Sequence, residues 1–89
     1  MNKKKNIILL GATGSIGESS LRLLRKNRGK FNLIGVSAHN NAELLSKIVN
    51  EFDVPNVVLS NSKNAKSYYG KSELNVGKSN LIELAKVRC

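Results

Sequence analysis

The sequence predicts an α/β fold, a doubly wound parallel sheet in three layers. Two observations carry that expectation. Short apolar runs of strand length alternate with stretches whose apolar residues recur at helical spacing, the pattern of the strand–helix–strand crossovers that build parallel sheets. The first run, Ile-Ile-Leu-Leu at residues 7–10, meets glycines at positions 11, 14 and 17, and a helix-compatible stretch follows at once.

The elements can be justified in chain order. Four consecutive apolar residues at 7–10 read as a strand buried on both faces, stopped by Gly11. After the glycines, Ile16, Ser20, Leu23 and Leu24 fall on one helical face, while Glu18, Arg22, Arg25 and Lys26 fall mostly elsewhere. Asn27-Arg28-Gly29 closes that helix with basic residues and a terminal glycine. Residues 31–36 read as a second strand ending at Ser37-Ala38. A second helix spans about 41–52, with Ala42, Leu45, Ile48, Val49 and Phe52 spaced as a core-facing stripe. Pro55 interrupts, and residues 56–59 supply a third apolar strand. A short helix at 62–69, a short strand at 74–76 and a final helix at 80–88 complete the reading.

Size and composition narrow the function. A chain of 89 residues makes one small domain, burying only about two-thirds of its unfolded surface. The Val87-Arg88-Cys89 ending carries no stop signal, so residues 1–89 read as a domain cut from a larger protein. The net charge is +9, but the basic residues are scattered apart from Lys3-Lys4-Lys5, and there are only two Tyr and two Phe. That pattern fits a lysine-rich solvated surface better than a nucleic-acid face, so no nucleic-acid partner is expected. The single cysteine offers neither an internal disulfide nor a metal site. No apolar stretch is long enough to span a membrane, and the lysine run is not followed by a signal-peptide core, so a cytoplasmic location is expected.

The glycine segment carries the chemistry. A glycine-rich turn between a strand and a helix is where Rossmann-like domains bind the pyrophosphate of a dinucleotide. The first turn of a helix offers unpaired N–H groups and the positive end of the helix dipole. Gly11 would permit the sharp turn, Gly14 would let the backbone approach the phosphates, and Gly17 would let the helix pack closely on the strand. The spacing is G-x-x-G-x-x-G, which is weak as a pattern alone; its place between strand and helix gives it weight. A complete six-stranded dinucleotide fold needs more residues, so the chain reads as its first half, a βαβαβ unit.

The end of the second strand bears on which dinucleotide. NAD-binding units place an Asp or Glu there to hold the ribose hydroxyls. Here the segment reads Ser37-Ala38-His39-Asn40-Asn41, with no carboxylate before Glu43, which leans toward NADP. His39 could donate to a 2′-phosphate, the more so when protonated, or could be an ordinary surface histidine. Asn40-Asn41-Ala42-Glu43 resembles a capping box, so Asn40 could equally be a helix cap. Gly70-Lys71-Ser72 and Gly77-Lys78-Ser79 look like P-loop endings, but each lacks the earlier glycine. Tyr68-Tyr69 reads as packing plus surface rather than a stacking platform.

The stretch Leu10-Gly11-Ala12-Thr13-Gly14-Ser15-Ile16-Gly17-Glu18-Ser19-Ser20-Leu21 closely resembles the opening of the 1-deoxy-D-xylulose 5-phosphate reductoisomerases. The likeness continues through Phe31-Asn32-Leu33-Ile34-Gly35-Val36-Ser37-Ala38 and a polar segment ending in Asn41, and later portions match in layout. It implies an N-terminal NADPH-binding domain of an enzyme that rearranges 1-deoxy-D-xylulose 5-phosphate and reduces the product to 2-C-methyl-D-erythritol 4-phosphate, for isoprenoid precursors. Carried over by position, Gly11, Thr13, Gly14, Ser15, Ile16 and Gly17 would form the pyrophosphate turn, and His39, Asn40 and Asn41 would line the 2′-phosphate end. Where the family often has Gly-Lys-Asn, this chain has His39-Asn40-Asn41, one charge partner fewer. The resemblance places the divalent metal (Mg or Mn), its acidic ligands and the sugar-phosphate site beyond residue 89, implies a homodimer for the full-length enzymes, and gives this chain no catalytic residue. Three other readings stand beside it: another Gly-Ala-Thr-Gly oxidoreductase, such as an aspartate-semialdehyde dehydrogenase or an extended short-chain reductase; a non-catalytic basic module binding polyanions; and a truncated product with no function of its own.

Overall fold

The computed structural model describes residues 4–77 and 84. Its elements follow the predicted order: β1 (Lys5–Leu9), α1 (Ser15–Lys26), β2 (Phe31–Ala38), α2 (Ala42–Phe52), β3 (Asn56–Leu59), a 3₁₀ segment (Ser62–Ser67) and β4 (Leu74–Val76). The four strands form one parallel sheet in the order β1-β2-β3-β4. The fold is α/β and Rossmann-like, as expected. The helix expected at 62–69 is a tighter and shorter 3₁₀ segment. The one expected at 80–88 lies outside the described residues except for Leu84, which is helical and buried.

One face of the sheet packs against α1 and α2. Leu33, Val36, Ala38, Val57 and Leu59 from the strands join Leu21, Leu24, Leu45, Ile48 and Val49 from the helices in a single core, with Ile7, Leu9 and Leu74 at its margin. Leu33 and Val36 share that face although they are three apart. The β1–β2 register explains this: Ile7 faces Leu33 and Ile8 faces Gly35, so Ile34 is an inserted residue that resets the alternation of β2. Asn56 Nδ2 donates to the Ile34 carbonyl at 2.8 Å, giving the displaced backbone a partner. On the other face Leu84 lies over Gly35, where an added Cβ would come within 2.7 Å of the leucine.

Two sequence expectations need correction. Strand β1 is only half-buried at Ile7, Ile8 and Leu9, and Leu10 is exposed in the turn beyond it. Among the described strands β1 stands at the end of the sheet, and its residues are exposed or half-buried, so the expectation of a strand buried on both faces does not hold for them. The buried stripe of α1 is Gly17, Leu21 and Leu24; of the expected Ile16, Ser20, Leu23 and Leu24, only Leu24 belongs to it. Ile16 is 83% exposed and Leu23 61%, because the helix rolls toward Gly17, the one side where its backbone can sit against the turn. The stripe assigned to α2 holds: Ala42, Leu45, Ile48 and Val49 are buried, and Phe52 packs at the edge. Tyr68 likewise packs on the core while Tyr69 is exposed.

The C-terminal ends of α1 and α2 are tied by Glu51. Arg25 reaches it through Nε and a terminal nitrogen at 2.6 and 2.8 Å, and Arg28 adds a contact at 3.1 Å. Both guanidinium groups lie over the Phe52 ring, at 5.9 and 4.6 Å from its centroid. The Arg25 hydrogen bonds, outweighing partial burial, hold the Glu51 carboxyl below the ordinary glutamate range. A carboxylate whose folded-state pKa is lowered stabilises the fold above its unfolded pKa and loses that contribution as pH falls. The groups are partly solvated, so Glu51→Gln should cost about 0.5–1 kcal/mol at neutral pH. Thermal unfolding should show the variant melting lower at pH 7, with the difference shrinking as the pH falls through the lowered carboxyl pKa.

Candidate functional site

The turn between β1 and α1 is built by glycine where the backbone demands it. Gly11 sits at φ +68°, in the left-handed region. The turn closes through Gly14 N–H donating to the Gly11 carbonyl at 3.2 Å. It is fastened to β2 at one residue: Ala12 N–H donates to the Ser37 carbonyl at 2.7 Å, and Gly11 N–H to Ser37 Oγ at 3.1 Å. Ser37 is buried, so its hydroxyl is committed to that contact.

Gly17 is buried in the first turn of α1, and a Cβ there would lie 2.5 Å from the Ala12 carbonyl oxygen and 2.6 Å from that of Gly11. The close approach is therefore to the turn itself, not to the strand as the sequence suggested. Gly14 differs. Its backbone is ordinary extended chain at the helix N-cap (φ −83°, ψ 176°), and a Cβ would stand 3.6 Å from the Gly11 oxygen, a normal contact. Among the described residues, nothing in the packing requires glycine there. No side chain caps α1, and its first ladder bond is Glu18 N–H to the Gly14 carbonyl at 2.9 Å. The N–H groups of Ser15, Ile16 and Gly17 thus precede the ladder at the positive end of the helix. Thr13 lines a cleft of about 270 Å³ that runs between α1 and α2 past Leu21, Arg25, Leu44 and Ile48.

The second set of predicted residues lies at the end of the neighbouring strand. Pairing between β2 and β3 continues past the sheet, with Ser60 N–H donating to the Ala38 carbonyl at 3.0 Å and Asn61 N–H to the His39 carbonyl at 2.8 Å. This places Ser60 Oγ 3.0 Å from Nδ1 of the exposed His39 ring. Asn41, not Asn40, caps α2: its side-chain oxygen accepts from Leu44 N–H at 3.2 Å. The capping box with Glu43 is not formed. Asn40 instead presents its carbonyl to Asn64 Nδ2, at 3.0 Å. Asn40, Asn41, Ala42, Glu43, Asn64 and Ser67 line a polar cleft of about 330 Å³ at the start of α2.

The nine predicted site residues therefore form two groups at the C-terminal ends of adjacent parallel strands, bridged by Ser37. That is the position at which open α/β sheets hold ligands. Sequence reading missed Ser37, Ser60 and Asn64 as parts of the site. A serine inside the apolar run of β2 was the available signal for Ser37; for the other two there was none, since their roles arise from tertiary placement. Among the described residues no group of three or more His, Cys, Asp or Glu could hold a metal ion. None of the described helices is long and apolar enough to cross a membrane.

Comparison with known proteins decides the family. A family model described as 1-deoxy-D-xylulose 5-phosphate reductoisomerase matches residues 7–88. The chain belongs to this family. Among reductoisomerases, that of Thermotoga neapolitana is 49% identical over 57 residues, covering 64% of this chain and 15% of the relative. That of Nitrobacter winogradskyi is 40% identical over 87 residues, covering 91% of this chain and 21% of the relative. The Zymomonas mobilis reductoisomerase, solved in complex with NADPH, superposes with a TM-score of 0.83 at 25% identity, over 93% of this chain and 23% of that one. The chain thus spans between 15% and 23% of the length of these reductoisomerases. The matches favour neither the other Gly-Ala-Thr-Gly oxidoreductases nor a basic polyanion-binding module.

Proposed function

We propose that this chain is the N-terminal NADPH-binding part, residues 1–89, of a 1-deoxy-D-xylulose 5-phosphate reductoisomerase. The observation that carries the reading is Gly14: a helix N-cap without a side chain, at a position where the fold would accept one, leaves the first-turn N–H groups of α1 open to a phosphate. Gly11, Thr13, Gly14, Ser15, Ile16 and Gly17 form the pyrophosphate turn, and His39, Asn40 and Asn41 line the 2′-phosphate end. When bound, NADPH supplies the reducing equivalents for an aldehyde formed by rearrangement of the sugar phosphate. The chain's own part is to bind and orient: backbone donors of α1 meet the pyrophosphate, and the uncharged end of β2 leaves room for the 2′-phosphate. Reaction of 1-deoxy-D-xylulose 5-phosphate to 2-C-methyl-D-erythritol 4-phosphate, the divalent metal, the sugar-phosphate site, dimer formation and a cytoplasmic setting belong to the full-length enzyme in this reading.

Titration of the protein with NADPH and NADH, followed by calorimetry or nicotinamide fluorescence, tests it. Saturable binding with NADPH preferred is the expected result. A folded sample that binds neither would overturn the reading, and strong salt-sensitive DNA binding with no nucleotide response would favour a polyanion module instead.

A further inference from the structure

We infer that the buried hydroxyl of Ser37 is a positioning group for nucleotide binding: it presets the turn between β1 and α1 in the conformation that receives the pyrophosphate. The inference rests on the cofactor reading above and assigns to that site a residue from outside the turn.

The two peptide planes on either side of the Gly11 Cα are both held by Ser37. The plane before it carries the Gly11 N–H, which donates to Ser37 Oγ at 3.1 Å. The plane after it carries the Ala12 N–H, which donates to the Ser37 carbonyl at 2.7 Å. The relative rotation of these planes is what φ and ψ of Gly11 describe. One residue of β2 therefore fixes the left-handed conformation, φ +68°, on which the turn depends. The main chain of β2 does not achieve this alone. Its Ser37 carbonyl is taken by Ala12, and the next carbonyl, at Ala38, turns to β3 and accepts from Ser60 N–H at 3.0 Å. The acceptor for Gly11 comes from a side chain instead.

The setting of Gly11 carries into the site. The peptide held through the Ala12 N–H has the Gly11 carbonyl at its other end, and that oxygen accepts from Gly14 N–H at 3.2 Å. It is also one of the two carbonyl oxygens against which Gly17 sits. Gly14 is the N-cap of α1, so the direction of the Ser15, Ile16 and Gly17 N–H groups follows from how Gly11 is held. Packing does not explain the serine. It is 3% exposed between Val36 and Ala38, where an alanine would fill the strand without a buried hydroxyl to satisfy.

Calorimetric titration of the protein with NADPH and NADH, wild type against Ser37→Ala and Ser37→Thr, tests the inference, with circular dichroism confirming that each variant is folded. Ser37→Ala should bind both nucleotides about tenfold more weakly, the order set by one hydrogen bond. The ratio of the two affinities should stay unchanged, because the pyrophosphate is common to both. Ser37→Thr keeps the hydroxyl and should restore both affinities. A purely structural role would lower the melting temperature of Ser37→Ala without moving either affinity of the folded protein, and that result would overturn the inference. So would a loss confined to NADPH, which would put the effect at the 2′-phosphate end, or a Ser37→Thr variant as weak as Ser37→Ala. Amide hydrogen exchange on the wild type needs no variant: the Gly11 and Ala12 N–H groups should be protected before nucleotide is added. A Gly11 amide that exchanges freely until NADPH is present would overturn the presetting while leaving cofactor binding intact. Folded wild-type protein that binds neither nucleotide would overturn the cofactor reading, and the inference with it.

Discussion

Gly17→Ala is expected to destabilise the protein by about 3 kcal/mol, the upper end of what overpacking by one methyl costs. The added Cβ would meet two backbone carbonyls, those of Ala12 and Gly11, at about 2.5 Å. Backbone atoms cannot swing aside as a side-chain end can. Either the first turn of α1 lifts away from the turn, exposing Leu21 and Leu24, or Ala12 moves and loses its bond to Ser37. Native folds are only marginally stable, so a loss of this size is a large share of the total. Denaturant unfolding followed by circular dichroism should show the midpoint falling sharply with little change in slope, and nucleotide binding should fall with it. A variant as stable as the wild type would show that α1 does not rest on the turn.

Gly14→Ser should separate the two roles that Gly17 combines. Serine suits an extended N-cap and can accept a hydrogen bond from the first turn, so the fold should gain a few tenths of a kcal/mol over glycine. The same hydroxyl and its Cβ occupy the approach to the Ser15, Ile16 and Gly17 N–H groups. Losing one or two charge-assisted hydrogen bonds, each worth about 1.5–3 kcal/mol, should weaken NADPH binding about 100-fold. Thermal unfolding and calorimetry on one sample read both effects. A variant that binds NADPH like the wild type would show that phosphate access is not why glycine stands at position 14.

The contrast between these two glycines shows what a sequence discloses. The turn was legible because an apolar strand, three glycines and a helix fall in immediate succession, and local order alone defines such a motif. Helix α2 was legible because its apolar residues make one stripe at helical spacing. Helix α1 carries two overlapping stripes, Ile16-Ser20-Leu23 and Gly17-Leu21-Leu24, about 100° apart. Hydropathy favours the first, but contact with the turn selects the second, since only a residue without a side chain fits there. The inserted Ile34 was invisible for a related reason: it is defined by the partner strand, and β2 alone reads as continuous. In the site, Asn41 rather than Asn40 is the cap, since α2 begins at Ala42, and Asn40 instead meets Asn64 across 24 positions of sequence. Ser60 could be connected with His39 only once β2 and β3 were seen to run on together beyond the sheet.

Among the described strands β1 pairs with β2 alone, and the turn it carries is fastened to β2 through Ser37. The segment proposed to meet the phosphates is thus held to the described sheet by the two hydrogen bonds at Ser37. A ligand satisfying the N–H groups there would act as an additional tie on the turn. Saturation at a hundred times the dissociation constant would add about 2.7 kcal/mol to the folded state. The cofactor would thus serve as a structural member as well as a reagent, with the concentration of nucleotide entering the stability of the fold.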